Sequence, residues 1–168
     1  AGQADGASDP RSHTFHSTPD GPMLGKPSLG LVWSATTAYS MRDANAENGR
    51  FLEQFLRFNR ADSVGEIKRA LGEVLGLPWV NTIAADRDGD AFYGDISVTP
   101  HVTSVQYNNC VRGPLQTAVT GFGYTTLDGS DSECELGSDP DTAEKIFGYD
   151  SMPKLETREY GANANDSY

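Results

Sequence analysis

Apolar and polar positions follow two periods along this chain, and the switches between them predict its elements. Ser12–Leu24 has alternating apolar positions that run into Pro19-Asp20-Gly21-Pro22, a strand entering a turn. Leu29–Tyr39 keeps Leu31, Trp33 and Ala35 on one parity, which predicts a second strand. Over Ala46–Asn59 the period lengthens, and Phe51, Leu52, Phe55, Leu56 and Phe58 form a stripe on one face of a helix. Ser63-Val64-Gly65-Glu66 is an S-x-x-E capping box opening a second helix, because each side chain can satisfy a free amide at the helix start. The apolar face of this helix is Ile67, Ala70, Leu71, Val74 and Leu75, and Gly76 and Pro78 end it. The pair predicts a helical hairpin.

Period two then returns. Trp79–Ala85 and Ala91–Val98 flank Arg87-Asp88-Gly89, and Asp-Gly between extended runs predicts a β-hairpin, since the turn needs positive φ. Beyond Pro100 the pattern weakens. From Asn108 to Asp150 the chain is rich in Gly, Asp, Thr and Ser, a composition that suits a loop-rich surface excursion. Ala1–Arg11 is small, polar and aperiodic, as expected of a disordered end. There is no internal repeat.

Composition changes this picture in three ways. Hydrophobic residues make up 37% of the 168 residues and aromatic residues 10%, enough for one domain with a core. The formal net charge of −11 argues against a nucleic-acid partner, which needs a basic face to replace phosphate counterions. No run of apolar residues is long enough to span a membrane. The chain opens at Ala1 without an initiator Met or signal-peptide pattern and stops at Tyr168 without a tail, which suits a segment of a longer chain. Cys110 and Cys134 lie in the Gly/Asp/Ser/Thr-rich stretch. A disulfide closing that loop, outside the cytoplasm, is the expectation, with two unpaired thiols as the alternative.

Local chemistry is sparse. Asp86-Arg87-Asp88-Gly89-Asp90 has the look of a calcium loop, but an EF-hand needs Gly at position six and Glu at position twelve. Here the fourth residue is Gly89 and the twelfth is Ser97, so a charged hairpin turn is the simpler reading. His13, His16 and His101 are the only imidazoles, without an H-E-x-x-H or G-x-S-x-G pattern around them. Lys26 and Arg42 have no glycine cradle for phosphate. Asn165-Asp166-Ser167 matches the glycosylation pattern, a short match that is frequent by chance. Phe55 and Trp79 read locally as plain core.

Two longer runs say more. Ala38-Tyr39-Ser40-Met41-Arg42-Asp43-Ala44-Asn45-Ala46-Glu47-Asn48, and then Gly76-Leu77-Pro78-Trp79-Val80-Asn81-Thr82-Ile83-Ala84-Ala85-Asp86-Arg87-Asp88-Gly89, resemble the large (β) subunit of the penicillin-amidase family of N-terminal-nucleophile hydrolases. Within that family the similarity is to the branch of acyl-homoserine-lactone and aculeacin A acylases. There "RDAN-x-EN", a helical pair and "PWVNT-x-AAD-x-x-G" come in this order, and Asn163-Ala164-Asn165-Asp166-Ser167 fits the later "N-x-N-D-S". The resemblance covers about residues 12–168.

The resemblance implies an α+β chain: part of a four-layer αββα sandwich, with antiparallel strands and the helical hairpin packed on one face. It implies amide hydrolysis by a Ser freed at the large subunit's N-terminus, whose own α-amine activates it. That Ser and the small (α) subunit lie outside this chain, so the rest of the precursor is the expected partner and these residues alone are not expected to hydrolyse an amide. Asn165 corresponds to the oxyanion-hole Asn, a carboxamide donor that carries no charge, and Asp166 beside it would fix its orientation. Phe55, Trp79 and Val80 correspond to walls of a deep acyl-chain pocket, where binding gains about 0.8 kcal/mol per buried CH₂. Phe55 is slimmer than a Trp would be, which favours a longer or bulkier acyl group.

The expected ligand is a small N-acyl substrate: an N-acyl-homoserine lactone or a lipopeptide acyl chain. No cofactor is required. Calcium sites occur in some members, but no persuasive metal ligands are visible here. A penicillin-type acylase for β-lactam side chains, and a non-catalytic binding module derived from the family, are the alternatives. The expected location is periplasmic or extracellular. An isolated segment of such a sandwich would expose apolar faces and strand edges.

Overall fold

The computed structural model describes residues 12, 14–111, 116, 124–142 and 145–156. His13, Asn165, Asp166, the glycosylation match and residues 1–11 lie outside the described residues. The chain divides into two compact units, Ala1–Arg42 and Asp43–Tyr168.

In the first unit, β1 (Ser17–Thr18) is the expected strand entering a turn, β2 (Gly21–Leu24) returns from that turn to complete a hairpin, and β3 (Tyr39–Ser40) pairs antiparallel with the far edge of β2. Gly21 has φ +125°, and a Cβ there would run into the carbonyl of Met41, so only glycine suits the position. Arg42 forms an ion pair with Asp20 beside the turn.

The strand expected over Leu29–Tyr39 does not form. Pro27–Leu29 is a 3₁₀ turn, closed by Gly30 in the left-handed region at φ 77°. The Ser34 hydroxyl then accepts from the N–H groups of Thr36 and Thr37, at 3.2 and 3.0 Å. Local side-chain bonding to the backbone competes with the sheet and wins. Trp33 turns back instead to donate Nε1–H to the Leu24 carbonyl at 2.5 Å, with His16 edge-on to its ring.

In the second unit, α1 (Phe51–Arg60) and α2 (Val64–Val74) form the helical hairpin. The first helix starts later than Ala46 because residues 44–47 are a turn, in which Asn45 N–H bonds the Asp43 carboxylate at 2.8 Å. Ser63 caps α2 by accepting from Glu66 N–H at 3.2 Å. The returning Glu66 carboxylate reaches Asp62 N–H rather than that of Ser63. Leu75, not Gly76, takes the left-handed position that ends the helix, with φ 46°.

The sheet beyond is β4 (Thr82–Ala85), β5 (Ala91–Gly94) and β6 (Lys154–Glu156), antiparallel in that order. The hairpin is shorter than its alternating pattern, and β6 pairs with β5 from far along the chain. A third helix, α3 (Ser104–Cys110), carries a complete capping box between Thr103 and Gln106. It begins just before the stretch expected to be loop.

The core lies where α2 meets the sheet: Val64, Leu71, Leu77, Phe92, Ile96 and Met152, with Phe58, Ile67 and Ala84 at its margin. The opposite face of the sheet carries Ile83, Tyr93 and Leu155 in cross-strand register. Ile83 is 83% exposed.

Asp86 joins the hairpin to the helix. One of its carboxylate oxygens accepts from Val64 N–H, at the start of α2, and the other from Asp88 and Asp90 N–H, each at 3.1 Å. Negative charge is favoured at a helix N-terminus. The Val64 amide above all, with the turn amides behind it, holds the Asp86 carboxyl below the usual aspartate range. A carboxyl depressed by folding contributes stability that is complete at neutral pH and is lost as pH falls below about 4. Asp86→Asn in the full-length protein is therefore expected to lower the melting temperature at pH 7 and to flatten its decline between about pH 5 and 2. A variant melting curve parallel to wild type across that range would refute this role.

Candidate functional site

The segment Leu75–Asn81 is held from several sides before it presents its aromatic residue. Arg50 donates Nε–H to the Val74 carbonyl at 3.1 Å and a second N–H to the Leu75 carbonyl at 3.2 Å, satisfying carbonyls that a helix end leaves free. Gly76 N–H donates to Gln54 Oε1 at 3.1 Å, and Asn48 Nδ2 donates to the Gly76 carbonyl at 2.9 Å. Asn48 also reaches Asn45 Oδ1, and Asn45 donates to the Val98 carbonyl. Leu77 accepts from Val98 N–H at 2.7 Å. A Cβ on Gly76 would lie 2.7 Å from the carbonyl carbon and oxygen of Arg50.

Trp79 follows two residues after this anchor. Its φ is +50°, a conformation uncommon for a bulky residue and found where surrounding structure over-determines the backbone. Its side chain is 76% exposed. With Pro78 and Phe51 it lines an open cleft of about 490 Å³, closed on the polar side by Asn45, Glu47 and Asn48. Val80 is half exposed beside it. Phe55 lies one turn along α1 from Phe51 and packs edge-on against Phe58, with ring centroids 6.2 Å apart. The cleft thus joins Trp79 to Phe51, and neither Phe55 nor Val80 lines it.

The family model described as penicillin amidase matches residues 2–168. The chain belongs to the penicillin amidase family. It is 43% identical over 162 residues to the aculeacin-A acylase of Actinoplanes utahensis, covering 96% of this chain and 20% of that protein. It is 38% identical over 164 residues to the acyl-homoserine lactone acylase PvdQ of Pseudomonas fluorescens, covering 97% and 20%. The corresponding acylase of Pseudomonas putida is 37% identical over 163 residues, again 96% and 20%. The chain therefore spans about a fifth of the length of these curated relatives.

The two runs that mark this penicillin-amidase chain in sequence meet in the structure. Asn45 and Asn48, from the first, bond to Val98 and Gly76, and Gly76 opens the second. Neither Asn48 nor Gln54 stands out by residue type. Gln54 is also the one fully buried side chain of α1, at 0% exposure. The apolar stripe expected to pack inward is turned outward instead: Phe51, Leu52, Phe55 and Leu56 are all exposed, and only Phe58 reaches the core. The face of α1 that meets α2 includes the Arg50–Gln54–Phe58 row: Arg50 and Gln54 bond the carbonyls and amide at the end of α2, and Phe58 packs against the core.

His101 is a structural residue in this arrangement. Its Nε2 lies 3.2 Å from Asp139 Oδ1, and its ring stacks on Phe147 at 4.4 Å between centroids. The other carboxylate oxygen of Asp139 accepts from Gly148 N–H at 2.7 Å. That amide, and then the Ser151 hydroxyl, hold the Asp139 carboxyl below its usual range, which leaves it an acceptor for a proton carried on Nε2. Cys110 and Cys134 form the expected disulfide, with Cα atoms 5.5 Å apart, within the usual span. Among the described residues no three His, Cys, Asp or Glu side chains converge to hold a metal ion. No described helix is long and apolar enough to cross a membrane.

Gly76→Ala is expected to destabilise the full-length protein by about 1–3 kcal/mol, the usual effect of forcing a methyl into a packed site. Denaturant unfolding measures it, and a change below about 0.5 kcal/mol would show that the Arg50 backbone yields freely.

Proposed function

We propose that this chain is part of the large subunit of a self-processing acylase, which hydrolyses the linear amide bond of N-acyl-homoserine lactones or of lipopeptide acyl chains. The observation that carries the proposal is the wall of exposed apolar side chains, Phe51, Phe55, Trp79 and Val80, in a chain collinear with acylases named for those substrate classes. Soluble proteins seldom leave contiguous aromatic surface uncovered without a use for it. An aliphatic tail laid along this wall gains about 0.8 kcal/mol per buried CH₂, so the length of the wall selects the length of the tail.

The chemistry is assigned as follows. A Ser outside this chain, freed as the N-terminal residue of the large subunit, attacks the amide carbonyl with its own α-amine as base. The carboxamide of Asn165 donates to the oxyanion, and Asp166 orients it. The small subunit and the remaining large-subunit segments complete the pocket. The uncovered sheet face bearing Ile83 and Tyr93, which a second sheet would cover, supports a four-layer sandwich. The Cys110–Cys134 bond supports a periplasmic or extracellular location, since disulfides persist where the surroundings are oxidising.

Two substitutions in the full-length protein test the assignment. Asn165→Ala is expected to lower kcat by about 10²–10³-fold with a smaller change in KM, because the lost donor acts on charge that develops in the transition state. A fall of less than tenfold would remove Asn165 from the oxyanion hole. Phe55→Trp is expected to shift preference toward shorter acyl chains by about fourfold per methylene excluded. Rates across an acyl-length series that keep the wild-type order would take Phe55 out of the pocket wall.

A further inference from the structure

Gln54 is completely buried, immediately precedes Phe55 on α1, and spends its side-chain oxygen on the Gly76 amide. Asn48, itself buried, takes the Gly76 carbonyl from the other side. Both polar groups of one residue are thus held by carboxamides from the segment that carries Phe51 and Phe55. A carboxamide suits this place because it donates and accepts without placing a charge in the interior. Gly76 brings no Cβ, so the Arg50 backbone can lie directly against it. Leu77 is buried and pinned to Val98, and Trp79 follows in its left-handed conformation.

The position of Trp79 is therefore referenced to α1 through Gly76, as well as to the hairpin side through Leu77 and Asn81. Gln54 Nε2 is buried without a hydrogen-bond partner among the described residues, an arrangement that costs stability. An apolar side chain of similar length would avoid that orphaned donor but could not hold the Gly76 amide.

We infer that Gln54 and Asn48 are positioning residues for acyl-chain selection: by clamping Gly76 they set the spacing between the Trp79–Val80 wall and the Phe51–Phe55 wall. The inference rests on the acylase reading for its substrate, and on the hydrogen bonds alone for its geometry. Gln54 is fully buried and lies outside the lining of the cleft, whereas Asn48 also borders it. Both act through Trp79, so their loss alters which chain length fits rather than the chemistry at the amide.

The experiment uses the full-length protein with Gln54→Met, which keeps side-chain length and loses the acceptor, and Gly76→Ala, which presses on the clamp from the opposite side. Val64→Ala, at the far end of α2, serves as a control for general loss of core packing. Across a series of N-acyl substrates, Gln54→Met is expected to change the long-to-short ratio of kcat/KM by about fourfold or more, the effect of one methylene of chain burial. Its kcat on the best substrate should stay within about threefold of wild type, so that the change falls in KM. Gly76→Ala is expected to move the same ratio, and the double variant to go little further than the larger single change, as coupled sites do. Val64→Ala should leave the ratio unmoved.

A second readout needs no activity. In protein labelled with 5-fluorotryptophan, the Trp79 fluorine resonance, assigned through Trp79→Phe, should shift in Gln54→Met and in Gly76→Ala but not in Val64→Ala. A wild-type ratio together with an unmoved Trp79 resonance in both clamp variants overturns the inference while leaving the acylase reading intact. A wild-type protein that cleaves no N-acyl substrate removes the acylase reading and, with it, the selection role. The fluorine shift then still decides whether the clamp positions Trp79.

Discussion

In the second unit, the hydrogen bonds on Gly76 tie the start of α1 and the turn before it to the end of α2. Gln54 and Asn48 bind its amide and carbonyl from one side, and the Arg50 backbone lies where a side chain would otherwise project. Helix α1 packs through a row of polar contacts to the end of α2, and this determines which way its aromatic stripe points. An amphipathic helix is ordinarily oriented by burying its apolar face. Here the side of α1 that meets α2 is bonded through Arg50 and Gln54, and Phe51 and Phe55 stand on the exposed side.

Carboxylates play the same part elsewhere in the unit. Asp86 gathers the amides of its own turn and the first amide of α2. Asp139 gathers Gly148 and His101. Each ties separate chain segments together, and each is ionised more readily for doing so. The disulfide from α3 to the 3₁₀ turn at Ser132–Cys134 does this covalently.

Membership of the penicillin amidase family gives these features a common sense. On the acylase reading proposed above, an acyl pocket needs aromatic surface on a stiff support, and the bonds to Gly76 and Leu77 behind Trp79 are what would supply it. The chain covers about a fifth of the length of its curated relatives. The outer stripe of α1 and the free face of the sheet are where the acylase reading puts the rest of the parent protein.

Much of this was legible from residue order alone. The helical pair, the Asp-Gly hairpin, the strand-and-turn before them and the disulfide follow from local periods, caps and spacing, and the two long motifs identify the family. Helix α3 was legible too, since Thr103 and Gln106 form a T-x-x-Q box, but the small polar residues around it masked the signal. The end of the first sheet was not. Leu29–Tyr39 alternates like a strand, yet Ser34 bonds its neighbours' amides before the strand can pair.

What only the tertiary structure decided is the direction in which the stripe of α1 faces, the pairing of β6 with β5, and the meeting of Asn48 and Gln54 at Gly76. Periodicity reports that a helix has an apolar face but not what that face meets. The meeting itself depends on a buried amide and carbonyl finding partners across the fold, and residues distant in sequence supply them.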